Sequence, residues 1–122
     1  MKAPLVLSYA GCGTCKKALA YLRARGIEPT LRAIVDEPPT PTELAKWIPA
    51  SGVGVRKWLN TSGQSYRGLD KDALAAASDA DLAAWLAKDG KLVKRPVLVL
   101  GDRVLVGFKE EAYDALFGRA KR

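Results

Sequence analysis

The sequence predicts an α/β domain in which a strand–helix–strand unit and a closing strand–strand–helix unit are separated by inserted helices. Three observations predict it. Hydrophobic periodicity passes from a short continuous apolar run at Pro4–Ser8 to helical spacing after Thr14, then back to a strand-like run at Leu31–Val35. Two capping sequences, Thr40-Pro41-Thr42-Glu43 and Ser78-Asp79-Ala80-Asp81, open helices in the middle of the chain. Two apolar stretches, Pro96–Leu100 and Arg103–Val106, flank the turn signal Gly101-Asp102. The 122 residues are 48% hydrophobic and 27% charged, with no repeat or linker, so residues 1–122 read as one domain. A chain of this length buries roughly two-thirds of its unfolded surface, enough for a core without disulfide or metal staples.

The elements follow in order. Pro4–Ser8 reads as a buried strand, and Tyr9–Gly13 as a turn carrying the first cysteine. From Thr14, Ala18, Leu19 and Leu22 fall on one helical face while Lys16, Lys17 and Arg23 face away. Gly26 stops that helix, with Arg23 and Arg25 in its last turn. Leu31–Val35 then forms a second strand, parallel to the first. Pro38 and Pro39 end the strand region, and Leu44, Trp47 and Ile48 give the next helix its apolar face. Val53–Leu59 adds a turn or two, and Asn60-Thr61-Ser62-Gly63 is a turn cluster. Leu69-Asp70 opens an alanine-rich helix, and the helix capped at Ser78 is closed by Asp89-Gly90. The helical insertion therefore spans about residues 40–90, with Trp58 and Trp85 as packing residues. Lys109–Phe117 closes the chain as a helix with Ala112, Tyr113, Leu116 and Phe117 on its apolar side. The order βαβ, helices, ββα is that of the thioredoxin fold with a helical insertion before the third strand.

Composition removes several kinds of chemistry. The chain has no histidine, which excludes Ser-His-Asp and Cys-His catalysis, HExxH zinc sites and C2H2 fingers. Its two cysteines cannot close a four-thiolate zinc site within one chain, so no metal is expected. No apolar run approaches the roughly 20 residues of a membrane span. The apolar start is too short for a signal core, with Lys2 as its sole basic flank, so a cytoplasmic location is expected. The net charge of +7 favours polyanions, oxyanions or an acidic protein surface. Its basic residues are dispersed, without aromatic interleaving, so they read as solvated helix faces and no direct DNA binding is expected. A monomer is expected.

What remains for covalent chemistry is Cys12 and Cys15, in Gly11-Cys12-Gly13-Thr14-Cys15-Lys16-Lys17. Cys12 leaves a strand and stands at a helix start, where unpaired N–H groups and the positive dipole end favour a thiolate. Such surroundings lower a cysteine pKa from about 8.5 to roughly 3.5–7.5. Cys12 is the candidate nucleophile, and Cys15, one turn on, is placed to resolve a mixed disulfide or stabilise the thiolate. The plain alternative is two reduced cysteines used as small core residues. Gly13 and Thr14 are candidate substrate-binding positions at the same helix start. Lys94-Arg95-Pro96 opens the third strand, which this fold brings against the cysteine loop. Pro96 marks either the start of an edge strand or a cis-proline facing that loop. Arg95 would then stand beside the thiolate and offer a guanidinium fork to an oxyanion.

These residues carry a resemblance. Tyr9-Ala10-Gly11-Cys12-Gly13-Thr14-Cys15-Lys16-Lys17, Asn60-Thr61-Ser62-Gly63 with Tyr66-Arg67, Asp89-Gly90 with Lys94-Arg95-Pro96, and Val106-Gly107-Phe108 together resemble the arsenate-reductase-related (ArsC/Spx/MgsR) family, which has a glutaredoxin-like fold. The resemblance favours the cis reading of Pro96. It implies a thiol-dependent reductase in which Cys12 attacks arsenate or a disulfide. It further implies no bound cofactor, with glutathione or a protein thiol as reductant and glutaredoxin or thioredoxin as donor. Arsenate reductases of the family bind the oxyanion with three arginines. Arg95 matches one; Asn60 stands where the second is expected, and no arginine stands near Gly107-Phe108. Arg56 and Arg67 are candidate substitutes. Losing charge-assisted bonds worth about 1.5–3 kcal/mol each is expected to weaken arsenate binding. The Spx/MgsR branch implies an alternative, a redox-sensing regulator that acts through the RNA polymerase α subunit with a Cys12–Cys15 switch. Gly52 lies where that branch uses a glycine at the polymerase contact, although a helix C-cap also accounts for it.

Overall fold

The computed structural model describes residues 3–118, and the basic tail, residues 119–122, lies outside them. Four strands form one sheet: β1 (Leu5–Ser8), β2 (Thr30–Ala33), β3 (Val97–Leu100) and β4 (Arg103–Val106), in the order β2-β1-β3-β4. β1 runs parallel to β2 and antiparallel to β3, which runs antiparallel to β4. Helix α1 (Gly13–Ala24) connects β1 to β2, and α6 (Glu110–Phe117) follows β4. Between β2 and β3 lie α2 (Pro41–Ser51), a 3-10 turn (Val55–Trp58), α3 (Gln64–Arg67), α4 (Lys71–Ala76), α5 (Asp79–Lys88) and a second 3-10 turn (Gly90–Leu92). This is the expected thioredoxin-like order with helices inserted before the third strand.

The two central strands are apolar along their length because helices cover both faces of the sheet. Strand alternation sends successive cross-strand pairs to opposite cores. Leu7 and Val97, which pair, join the cluster built with the inserted helices around Leu44, Trp58, Leu82 and Leu86. Val6 and Leu98, the next pair, join α1 and α6 through Ala18, Tyr21, Leu22 and Tyr113. Trp58 is fully buried and donates from Nε1 to Ser51 Oγ at 3.2 Å, while Trp85 packs at the edge of the same cluster. On the other face Tyr21 Oη donates to Asp114 at 2.6 Å, and the Arg25 guanidinium lies 3.4 Å from the Tyr21 ring centroid. These contacts tie the end of α1 to α6.

Both predicted caps form, each as a reciprocal capping box. Thr40 Oγ1 accepts the Glu43 N–H and the Glu43 carboxylate accepts the Thr40 N–H, and Ser78 with Asp81 repeats the arrangement. Gly52 caps α2 in the left-handed conformation, φ +73°. Three boundaries differ from expectation. β2 occupies Thr30–Ala33 rather than Leu31–Val35, because the chain turns at Ile34, which drops fully buried into the core. As an edge strand β2 is mostly exposed, with Leu31 at 48%. It is held instead by Arg32, whose guanidinium donates to both Glu43 carboxylate oxygens at 2.9 Å and to the Pro38 carbonyl at 2.8 Å. The short helix α3 follows the Asn60–Gly63 turn without any apolar period to announce it.

The third difference concerns Gly90, which does not cap α5. Asp89 takes the C-cap position in extended conformation, and Gly90 opens the second 3-10 turn. Its role is spatial: a Cβ there would run into the Ile34 backbone carbonyl. Gly90→Ala is therefore expected to destabilise the fold by about 1–3 kcal/mol, since backbone must move to admit the methyl. Urea unfolding of the variant measures this, and an unchanged midpoint would contradict the close approach. Among the described residues no helix is long and apolar enough to cross a membrane.

Candidate active site

The sheet assembles the site. Because β1 and β3 are antiparallel with Leu7 opposite Val97, the outgoing end of β1 lies beside the incoming end of β3. Val97 also faces Val106, so the outgoing end of β4 arrives at the same place. Three segments distant in sequence therefore converge: the turn through Cys12, the Arg95–Pro96 dipeptide, and Gly107–Lys109. The Arg95–Pro96 peptide bond is cis.

Cys12 is the N-cap of α1, in extended conformation, and its Sγ accepts the Cys15 N–H at 3.3 Å. The turn before it is fixed by the Cys12 N–H donating to the Tyr9 carbonyl at 3.0 Å. Both thiols are free. Cys12 is partly exposed, whereas Cys15 is buried at 1% exposure. Partial burial works to raise the Cys12 pKa. The hydrogen bonds from Cys15, thiol and N–H, and the Arg95 guanidinium oppose it and hold Cys12 below an ordinary thiol. Burial, and the hydrogen bond it gives to Cys12, push Cys15 up to about 12. Cys12 therefore ionises more readily than an ordinary thiol and Cys15 less readily. Lys16 and Lys17 face solvent, and Arg95 is the cation that acts on Cys12.

Arg95 packs its guanidinium 4.7 Å from the Tyr9 ring centroid. Its Nη1 is buried without a hydrogen-bond partner among the described residues. A buried, unpaired N–H of a charged group is costly and favours an acceptor brought from outside. Such an acceptor has a space to enter. A cavity of about 400 Å³ opens on Cys12, walled by Thr14, Asn60, Arg95 and Gly107, with Lys94 and Lys109 contributing further cations. No carboxylate lines it among the described residues.

The candidate residues divide accordingly. Cys12, Thr14 and Arg95 meet in this cavity; Cys15 and Pro96 do not line it but are tied to it, Cys15 by its N–H bond to Cys12 and Pro96 by the cis peptide bond to Arg95. Gly13 shares the helix start but does not line the cavity. Arg56 and Arg67 are not there, which corrects the expectation that they replace the absent arginines. The Arg56 guanidinium donates to the Leu74 and Ala77 carbonyls at 3.2 and 3.1 Å, satisfying the end of α4. Arg67 is exposed on α3. Asn60 and Gly107, the positions where the resemblance expects arginines, both line the cavity. Sequence reasoning missed Lys94 and Lys109 as wall residues. Lys94 lies within one matched motif and Lys109 directly follows another, and that placement was the available signal. Among the described residues no three His, Cys, Asp or Glu side chains gather as metal ligands.

A family model described as the ArsC family matches residues 7–116, which takes in every segment of this site. The chain belongs to the ArsC family. Within it, the uncharacterized protein YusI of Bacillus subtilis is 40% identical over 107 residues, covering 87% of this chain and 91% of that protein. An arsenate reductase of Yersinia enterocolitica is 35% identical over 95 residues, covering 76% of this chain and 67% of the enzyme. Among solved structures, an ArsC-family-related protein of Bacteroides fragilis superposes with a TM-score of 0.89 at 46% identity, covering 94% of this chain and 98% of that one. ArsC-family membership accounts for the thioredoxin-like sheet.

Proposed function

We propose that this protein is a thiol-dependent reductase in which the Cys12 thiolate attacks an oxidised substrate held by Arg95. The observation that carries the reading is the Cys12 sulfur at the start of α1, bonded by the Cys15 N–H at 3.3 Å and lowered in pKa with Arg95 beside it. A thiol held below its ordinary pKa depends less on a general base, which suits a chain without histidine.

With a disulfide substrate, the Cys12 sulfur attacks one sulfur, the other leaves as thiolate, and a mixed disulfide forms. Cys15 then loses its proton and attacks the Cys12 sulfur, releasing the second thiolate and leaving a Cys12–Cys15 disulfide. Two electrons from glutathione, or from glutaredoxin or thioredoxin, restore both thiols. With arsenate, Cys12 displaces an oxygen as water to form a thiol–arsenic adduct. Attack of a second thiolate on the Cys12 sulfur then leaves the bonding pair on arsenic, so that arsenite departs and a disulfide remains. Arsenate-dependent and disulfide-dependent NADPH oxidation, with glutathione/glutaredoxin and thioredoxin systems each supplied, tests the reading. Turnover is expected with at least one donor, and none with either substrate and either donor overturns it.

The direct contact between the two cysteines supports a second reading. Oxidation to a Cys12–Cys15 disulfide would remove the N-cap acceptor of α1 and switch a protein interface, with the RNA polymerase α subunit as partner. Cys15→Ser separates the two. Turnover with an external monothiol is expected to survive in the variant, because that thiol can attack the Cys12 adduct itself. If oxidation alters binding to the α subunit in the native chain and not in the variant, while neither reduces substrate, the regulator reading prevails.

A further inference from the structure

The cavity next to Cys12 is larger and differently charged than an oxyanion requires. At about 400 Å³ it falls in the range that encloses small organic ligands. Arg95 is the single arginine among its lining residues, and the other two basic residues that line it are Lys94 and Lys109, both exposed. The backbone makes room for one of them. Gly107 is in the left-handed conformation, φ +78°, and a Cβ there would stand 3.1 Å from Lys94 Cε. Lys94 thus lies across the position where the resemblance expects an arginine, and a side chain at 107 would push it aside. Lysines on flexible stems are point charges, suited to a carboxylate whose position varies, whereas a rigid fork suits a fixed planar or tetrahedral group.

We infer that Lys94 and Lys109 form a carboxylate subsite, and that the substrate is a small disulfide whose thiol halves carry carboxylates. This rests on the reductase reading and specifies its substrate class. The carboxylate docks on the two ammonium groups and the near sulfur faces Cys12. Cys12 attacks that sulfur, the S–S bond breaks, and the far half leaves as thiolate with the bonding pair, its charge met by Arg95. Three basic residues and no carboxylate line the cavity among the described residues, so an anionic disulfide is concentrated at the sulfur that must attack it.

The test follows the reaction of the fully reduced full-length protein with three disulfides in a single turnover, using mass spectrometry to read the Cys12 adduct. The probes are dithiodipropionate (anionic), dithiodiethanol (neutral) and cystamine (cationic). Dithiodipropionate is expected to react at least about tenfold faster than the neutral probe, and cystamine slowest. The pair Lys94→Gln with Lys109→Gln is expected to bring the anionic and neutral rates within about twofold of each other, with the urea-unfolding midpoint reporting intact folding. A control pair with the same charge change, Lys46→Gln with Lys88→Gln on exposed faces of α2 and α5, is expected to keep the preference. Equal losses from both pairs would assign the preference to the net charge of +7 and overturn the subsite. Equal rates for all probes in the native protein would overturn it while leaving the reductase reading intact. No reaction with any disulfide would remove the disulfide arm of that reading and the subsite with it.

Discussion

Cys12→Ser is expected to abolish turnover, by at least about a thousandfold, while leaving stability unchanged. The two halves of the result have one structural origin. Cys12 Sγ accepts the Cys15 N–H at the N-cap of α1, and a serine hydroxyl is a preferred acceptor in that position. The helix start therefore keeps its cap. What is lost is the thiolate, since a helix terminus and one guanidinium cannot ionise an alcohol near neutral pH. Urea unfolding together with the coupled NADPH assay checks both halves. A variant that is inactive because it unfolds would show that the cap geometry is wrong.

The second large effect belongs to Arg95. Arg95→Ala removes a charge-assisted contact to an anionic substrate, worth about 1.5–3 kcal/mol, or about 10- to 150-fold in kcat/KM. It also withdraws one of the groups that hold Cys12 below an ordinary thiol. The direction is fixed: a lowered pKa keeps the sulfur ionised at pH values where an ordinary thiol is protonated. Removing Arg95 must therefore move the rise in alkylation rate towards higher pH. Cys15, pushed up to about 12, stays protonated throughout and is expected to remain unlabelled in both proteins. Arg95→Lys separates charge from shape, recovering part of the shift in pH dependence without the fork. An alkylation profile identical in native protein and Arg95→Ala would refute the role given to this residue.

The fold was legible where local pattern and tertiary structure agree. The run Pro4–Ser8, the change of period after Thr14 and the two capping boxes each point to the element that forms. Gly90 shows the limit. Its place after Lys88 suggests a helix cap, but the requirement comes from the Ile34 carbonyl, on a segment more than fifty residues earlier, and no local rule reports a distant backbone. The same reasoning applies to the site. Cys12, Thr14 and Arg95 were legible because the chemistry is written in the helix start and in a motif beside a proline. Arg56 and Arg67 misled because a guanidinium binds whichever acceptor is nearest, and for Arg56 those acceptors are the carbonyls ending α4. Lys94 and Lys109 were passed over because their neighbourhood exists only once the ends of β3 and β4 meet.

The alternation of Val6 and Leu7 against Leu98 and Val97 has a consequence for how the protein fails. The alignment of Cys12 with Arg95 is set by a ladder whose rungs are locked into a different core on each face. Amide protons of such a ladder exchange only through the rarest openings, those close to global unfolding. The reacting groups, just beyond the strand ends, are thus positioned by the part of the molecule expected to exchange slowest. Heat or denaturant would extinguish activity and native structure in a single step, with no folded but misaligned species accumulating between them.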